Sequence, residues 1–507
     1  MKKIFFFLLI SVYAWAQGSL PRSTPEAEGI PSSAIIKFLE AAEKSNVEFH
    51  SMMIVRHGKV VAEGWWNPYR SDLRHTMYSC SKSFTATAVG LAVSEGKLKV
   101  TDKVISFFPD KLPEKISDNL AALEVKDLLS MSVGMEKEPG HIMAGNDWIK
   151  SFLAWPIENK PGTKFLYNSA ATYLLSAIVQ KVTGQKIIDY LTPRLFEPLG
   201  IKNIDWEVDP NDINVGGWGL RLKTEDMAKF GQLFLQKGKW NGKQILPEAW
   251  VNEASTMKIM QKPDASAEEL AKSDWLQGYC YQMWRCRNNG YRGDGANGQF
   301  IIMLPEKDAV VIFTAETTDM QSEINLMWEN ILPAMGPKPL KPNQEELTRL
   351  SDKLKALKLG VPDKINSSKM EKYLSGKDVI FKGEVAKKVI SASFSFDSQS
   401  CLLKLRTDST DHLISFGREQ WNYQKTTKFG PYLVARAMAN RKGLPAFDVT
   451  GSFTWVDENT LEFTLRYIES PHTETVICKF DGDAVKMDVI NIWNQKQDRT
   501  PLEGVLR

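Results

Sequence analysis

Ser79 and Lys82 stand three residues apart in the run Tyr78 to Gly90 (YSCSKSFTATAVG). On a helix that spacing puts both side chains on one face, with the lysine amine within reach of the serine oxygen. A serine hydroxyl is a weak nucleophile until a neighbouring base takes its proton. A lysine can be that base only where burial and nearby positive charge lower its pKa, and a helix N-terminus supplies some of that charge. The same spacing recurs at Ser94–Lys97 and Ser255–Lys258. Ser94 sits where its helix is expected to end, at Glu95-Gly96, and Ser255 lies in a polar, methionine-containing stretch. The rest of the chain must choose among the three.

The elements that would position such a pair lie on both sides of it. Pro31 to Lys44 reads as a helix with Ile35, Ile36, Leu39 and Ala42 on one side. A hairpin follows: Ser51 to Arg56, a His57-Gly58-Lys59 turn, and Val60 to Trp65. From about Thr101 to Met260 the pattern is mostly helical, with segments at Val125 to Met131, Ala170 to Thr183 and Thr224 to Lys237. Strands return at Gly278 to Arg285, Phe300 to Leu304 and Ala309 to Thr314, and a helix at Met320 to Leu332 closes the region. One antiparallel sheet built from both ends, with a helical lobe inserted, accounts for this order.

Pro333 to Pro342 (PAMGPKPLKP) is proline-rich and reads as a linker, followed by a charged helix from Glu345 to Leu359. From Val379 the pattern becomes alternating strands, an all-β domain expected as an open barrel or curved sheet. The predicted organisation is therefore α+β: a leader (1–16), a first domain of sheet and inserted helices (17–335), a linker with a charged helix (336–378) and a C-terminal β domain (379–507).

Composition narrows the class. The chain has 507 residues, 43% hydrophobic and 25% charged, with a net charge of +3. That suits a globular protein of two to three domains and gives a nucleic-acid role no electrostatic support. Met1-Lys2-Lys3, an apolar core from Ile4 to Val12 and Ala14-Trp15-Ala16 have the layout of a secretory signal peptide, cleaved after Ala16. Export to the periplasm or beyond is expected. No later segment reads as a transmembrane span. The 5 cysteines (80, 280, 286, 401 and 478) leave at least one unpaired. Cys80 is expected to be a small buried residue, and Cys280–Cys286 and Cys401–Cys478 are the pairings considered.

The run Pro161 to Gly184 (PGTKFLYNSAATYLLSAIVQKVTG), taken with the Ser79 motif, resembles the β-lactamase-like serine hydrolases. These include class C β-lactamases, penicillin-binding DD-peptidases, family VIII and related esterases, and 6-aminohexanoate-dimer hydrolases. The family carries S-x-x-K, then Y-x-N or Y-x-S, then K-T-G or a degenerate glycine motif on a late strand. Here those positions are Ser79 and Lys82, Tyr167-Asn168-Ser169, and Gly293-Asp294-Gly295. Val125 to Met135 (VKDLLSMSVGM) is similar too, and the resemblance extends from about 25 to 335.

The resemblance implies a role for each position. Ser79 would be the nucleophile, Lys82 and Tyr167 the proton carriers, and Ser169 a partner of Lys82 or of the substrate. The backbone N–H groups of Ser79 and Ala296 would hold the oxyanion, and Gly293 and Gly295 would let a strand edge approach the substrate. A tyrosinate at Tyr167 would require the lysine's positive field to lower its pKa. Gly216-Gly217-Trp218-Gly219 matches a family loop at the site, with Trp218 read as a pocket wall or a core residue. Asp294, if exposed at the pocket edge, would prefer a neutral or cationic group.

Two departures bear on specificity. The third motif has neither the Lys nor the Thr with which β-lactamases and DD-peptidases hold a substrate carboxylate, and the second ends in Ser169. Both favour an esterase or amidase acting on a small or short peptide-like ester or amide. The alternatives are a cell-wall DD-peptidase or weak β-lactamase, and a binding protein on a hydrolase fold whose β domain contacts a glycan or protein. Trp65, Trp66 and Tyr69 read as packing. His57 and His75 lack metal-ligand spacing, so neither metal nor organic cofactor is expected.

Overall fold

The computed structural model describes residues 18–140, 145–382, 389–408, 410–430 and 446–507. The expected leader, residues 1–16, lies outside these. The first domain is organised by a six-stranded sheet. Its strands are β1 (Glu48–Arg56), β2 (Lys59–Trp65), β3 (Trp284–Arg285), β4 (Tyr291–Gly295), β5 (Gln299–Leu304) and β6 (Ala309–Glu316). They lie in the order β2-β1-β6-β5-β4-β3, every neighbouring pair antiparallel. The N-terminal hairpin therefore joins the late strands through β1 and β6, as expected from the order of elements. Ser51 and Thr314 face each other there, their hydroxyls 2.7 Å apart.

Strand alternation decides which residues face which helices. Met52, Ile54, Phe300, Ile302, Val311 and Phe313 pack against helices α1 (Ser32–Lys44) and α5 (Met320–Asn330). On the other face, Met53, Val55, Ile301, Met303, Val310 and Ile312 pack with Phe84 of α2 (Ser81–Ser94) and Phe230 of α4 (Thr224–Leu235). The inserted helical lobe, containing α3 (Ser169–Thr183), joins this second core. Helix α2 is buried on nearly every side, which explains its small residues. At Gly90 a Cβ would fall 2.2 Å from the Trp250 indole.

Two expectations are revised and one is met. Between Gly278 and Arg285 only Trp284–Arg285 is strand, because Gly278 (φ 101°) and Gln282 (φ 59°) leave the extended region. The glycine run 293–295 lies on a late strand, β4, as the resemblance implies, and the chain reverses at Ala296–Gly298. The charged helix α6 (Gln344–Lys355) is packed on the first domain, with Leu350 buried in the α1 core, so the segment read as a linker is partly core.

The C-terminal domain contains ten strands: β7 (Asp378–Lys382), β8 (Val389–Phe396), β9 (Ser400–Thr407), β10 (Asp411–Arg418), β11 (Asn422–Thr426), β12 (Phe447–Asp457), β13 (Thr460–Tyr467), β14 (Thr473–Asp481), β15 (Ala484–Ile490) and β16 (Leu502–Leu506). Their order is β10-β9-β8-β7-β16-β15-β14-β13-β12-β11. A parallel pairing of Gly417 with Ser452, from β10 to β12, closes the sheet into a barrel. Phe394, Phe416, Phe453, Trp455, Phe463 and Phe480 fill its interior. Closure shortens the free edge that an open sheet would expose, leaving β11 paired with β12 alone among the described residues. All five cysteines are buried free thiols, and neither pairing considered from the sequence forms. No helix among the described residues is long and apolar enough to cross a membrane.

Candidate active site

Ser79 lies in a tight turn, Tyr78–Cys80, that runs directly into α2. Neighbouring segments anchor the turn closely. Met77 N–H donates to the Leu220 carbonyl (3.0 Å), Leu220 N–H donates to Ser81 Oγ (3.2 Å), and Cys80 Sγ contacts the Gln299 carbonyl (3.2 Å). Ser83 Oγ donates to the Gln282 carbonyl (2.9 Å). Gly295 of β4 passes so near that a Cβ there would stand 2.3 Å from the Met77 carbonyl oxygen. Only glycine permits that approach, and it brings Ala296, the residue after β4, alongside the start of α2.

Lys82, in the first turn of α2, is 1% exposed. Its Nζ lies 3.2 Å from Ser79 Oγ, 3.1 Å from Ser169 Oγ and 2.7 Å from the Gly217 carbonyl oxygen. Burial pushes the amine down to about 7, against the Glu138 and Asp294 carboxylates that pull it up. A substantial fraction is thus unprotonated near neutral pH, with a lone pair to offer Ser79. The other two Ser–Lys spacings are different. Ser94 Oγ and Ser255 Oγ bond carbonyls of their own helices, and Lys97 and Lys258 reach Glu95 and Glu253.

Tyr167 precedes α3, whose N-cap is Asn168, the side chain accepting from Ala171 N–H. The ring packs with Trp284 (5.4 Å between centroids) and Tyr279 (6.2 Å), and Lys82 Nζ stands 5.1 Å from its centre. Burial raises the phenol well above its ordinary pKa, opposed by a hydrogen bond with Ser79. The lowering that a tyrosinate would require is outweighed by burial. Tyr167 is held as a neutral phenol, a group that can pass a proton but does not stand as phenolate.

The remaining sequence candidates separate. Ser169 joins the cluster through Lys82. Asp294 is buried rather than exposed at the pocket edge, and its carboxylate pairs with Arg292 at 2.8 Å. Burial still holds its pKa above the usual value. Trp218 is 4% exposed and lies 6.1 Å from Trp148, in the core. His57 pairs with Glu28, and His75 contacts His50.

Two contributors were not singled out from the sequence. The Gly217 carbonyl gives Lys82 its shortest contact, although the surrounding glycine-rich loop was noticed. Glu138 accepts from Ser169 N–H at 2.6 Å and acts electrostatically on Lys82 and Tyr167. Its position two residues after the exposed Glu136 carries no pattern that sets it apart.

A profile of the Beta-lactamase family matches residues 40–334. The chain is 25% identical over 284 residues to the 6-aminohexanoate-dimer hydrolase of Paenarthrobacter ureafaciens, covering 52% of this chain and 71% of that one. It is 24% identical over 187 residues to the beta-lactamase of Escherichia coli K12, covering 33% and 49%. The octameric penicillin-binding protein homologue of Pyrococcus abyssi aligns with 93% of this chain and 99% of its own at 16% identity and a TM-score of 0.46. The family match takes in more than half of the chain, including Ser79, Lys82, Tyr167 and the strand at Asp294, and on that ground the protein belongs to the Beta-lactamase family of serine hydrolases.

Proposed function

We propose that the protein is an exported esterase or amidase that works through an acyl-enzyme on Ser79. The observation that carries this reading is the buried Lys82 amine, lowered to about 7 and 3.2 Å from Ser79 Oγ. Ser79 Oγ attacks the substrate carbonyl carbon as its proton passes to Lys82 Nζ. The N–H groups of Ser79 and Ala296 receive the negative charge that develops on the carbonyl oxygen. The proton then moves from Lys82 through the Tyr167 hydroxyl to the leaving alcohol or amine as the carbonyl–heteroatom bond breaks. In the second half, water attacks the acyl carbon and gives its proton to Lys82, which passes it to Ser79 Oγ as the acyl carbon–oxygen bond breaks and the carboxylic acid leaves, so that the serine hydroxyl and the neutral amine are restored. Lys82 rather than Tyr167 is assigned as base in both halves, because the phenol is held above its ordinary pKa.

Ester or amide specificity is supported by the third motif. Where β-lactamases and DD-peptidases offer Lys and Thr to a carboxylate, this chain has Asp294, already paired with Arg292. Similarity to a 6-aminohexanoate-dimer hydrolase points the same way. A buried lysine costs stability, and keeping one beside Ser79 weighs against a binding protein without chemistry. Export rests on the leader at residues 1–16, and sequencing of the mature N-terminus is expected to begin at Gln17.

A fluorophosphonate probe tests the nucleophile: wild type is labelled and Ser79→Ala is not, and equal labelling of both would sink the assignment. Turnover of short-chain p-nitrophenyl esters and anilides without turnover of a chromogenic cephalosporin is the expected specificity; the reverse result would make it a β-lactamase.

A further inference from the structure

The C-terminal barrel reaches into the base of the candidate site. Between β13 and β14 the chain turns through Ile468 to His472, and this turn is docked on the segment that leads to Ser79. Thr76 N–H donates to the Glu469 carbonyl at 2.8 Å, the Tyr69 hydroxyl donates to the Ser470 carbonyl at 3.2 Å, and the Tyr78 hydroxyl bonds His472 Nε2. Tyr78 immediately precedes Ser79 and has φ 50°, a conformation that a tyrosine adopts only when its surroundings hold it there.

The Glu469 side chain ties two strands together. Its carboxylate accepts from Arg74 Nε and Arg221 Nη1, each at 2.8 Å, and Asp205 completes the cluster with Arg74 (2.9 Å) and Arg221 Nε (2.8 Å). Arg74 stands just before the strand His75–Thr76, and Arg221 sits opposite Thr76 in register. The first strand runs on to Tyr78 and Ser79. The second comes directly from Gly217, whose carbonyl holds Lys82. One carboxylate from the barrel thus fixes the approach of the nucleophile and that of the base's hydrogen-bond acceptor. The contact is buried: Glu469 is 8% exposed and His472 1%.

We propose that Glu469 and His472 are positioning residues for the Ser79–Lys82 pair, so that the barrel is a working part of the hydrolase. The inference rests on Ser79 being the nucleophile. Preorganised geometry has a large effect on rate: a misplacement of about 1 Å costs on the order of a hundredfold. Because these side chains are buried beneath the Ser79 segment, their loss should lower kcat and leave KM nearly unchanged.

The test uses the full-length chain and four variants: Tyr78→Phe, which removes only the hydroxyl that meets His472; His472→Gln, which keeps a polar nitrogen; His472→Ala, which does not; and Glu469→Gln, which keeps shape but removes the charge shared by Arg74 and Arg221. Active sites are titrated with the fluorophosphonate probe, and kcat is measured per titrated site on a p-nitrophenyl ester, with unfolding midpoints alongside. Tyr78→Phe and Glu469→Gln should each lose about tenfold to a hundredfold in kcat with KM within about twofold. His472→Gln should retain more activity than His472→Ala. Unchanged kcat per titrated site in Tyr78→Phe overturns the proposal even if Glu469→Gln fails to fold, as does a loss confined to the titratable fraction. Absence of labelling in wild type overturns the nucleophile reading instead, and the proposal with it.

Discussion

The Gly217 carbonyl oxygen accepts from Lys82 Nζ at 2.7 Å, a shorter contact than the 3.2 Å between that amine and Ser79 Oγ. A neutral amine has two protons and one lone pair. With one proton spent on Gly217 O and another directed at Ser169 Oγ (3.1 Å), the lone pair is left for the Ser79 side. The carbonyl acts as an orienting group for the base, and this follows from backbone placement rather than from any side chain.

The pH dependence follows from the same amine. Lys82 must be unprotonated to accept the Ser79 proton, so kcat/KM should rise by about tenfold per pH unit below its pKa and level off above it. In wild type the limb should lie at about 7. The Glu138 carboxylate pulls that value upward, so Glu138→Gln should move the limb to lower pH. The measurement is a pH–rate profile of both proteins on one ester; a limb that stays in place or moves upward would contradict the role given to Glu138.

A methyl group at Gly217 should disturb the base without touching substrate. Its Cβ would lie 3.2 Å from Lys82 Nζ and 3.0 Å from the Ser169 carbonyl, so the amine must shift by a few tenths of an ångström. Gly217→Ala is expected to lower kcat by about tenfold with a smaller effect on KM, as for a slightly misplaced catalytic group. A change in KM alone would place Gly217 in substrate binding.

How much of this was legible in the sequence depended on whether the signal was local. Ser79 and Lys82 share one helical turn, so their spacing already implied contact, and Tyr167 came with its own short motif. Lys97 and Lys258 stand at the same spacing and reach carboxylates instead, a difference that four letters cannot encode. The alternating strands gave the sheet and the C-terminal β domain, but barrel closure rests on the pairing of Gly417 with Ser452, 35 residues on in the chain. Gly217 contributes a backbone oxygen, which leaves no signature in composition. Glu469 is 395 residues from Arg74 along the chain, and nothing in either neighbourhood announces the other. Exposure of Asp294 at the pocket edge was the expectation, because an aspartate between two glycines carries no sign of burial; its partner Arg292 stands two residues away on the same strand.

The Arg292–Asp294 pair should be structural. Both groups are buried, and the guanidinium also donates to the Asp274 carbonyl (2.9 Å) and lies over Trp275 (4.5 Å). Arg292→Met would leave the Asp294 carboxylate without its partner in the interior, at a cost of about 3–5 kcal/mol. Adding Asp294→Leu to that variant should recover part of the loss. Denaturant unfolding of the single and double variants tests this, and equal stability of the two would mean that Asp294 carries no buried charge.

The lowered pKa of Lys82 also makes a prediction about stability. In the folded protein the amine titrates at about 7, and in the unfolded chain at its ordinary value near 10.5. Between those values the unfolded chain binds more protons, so this group makes stability rise with pH across the window. Above the window both states hold a neutral amine and the burden vanishes. Below about 7 both are charged, and the folded state bears the full cost of a buried ammonium. Lys82→Met removes the charge and roughly keeps the volume. The variant should therefore be inactive yet more stable than wild type near neutrality, with a difference in unfolding midpoint that shrinks steadily as pH rises toward the ordinary lysine value. The lost contacts to Gly217 and Ser169 add an offset that does not depend on pH, so the slope is what decides. A difference constant across the window would mean that Lys82 keeps an ordinary pKa, and with it the case for a lysine base at Ser79 would fall.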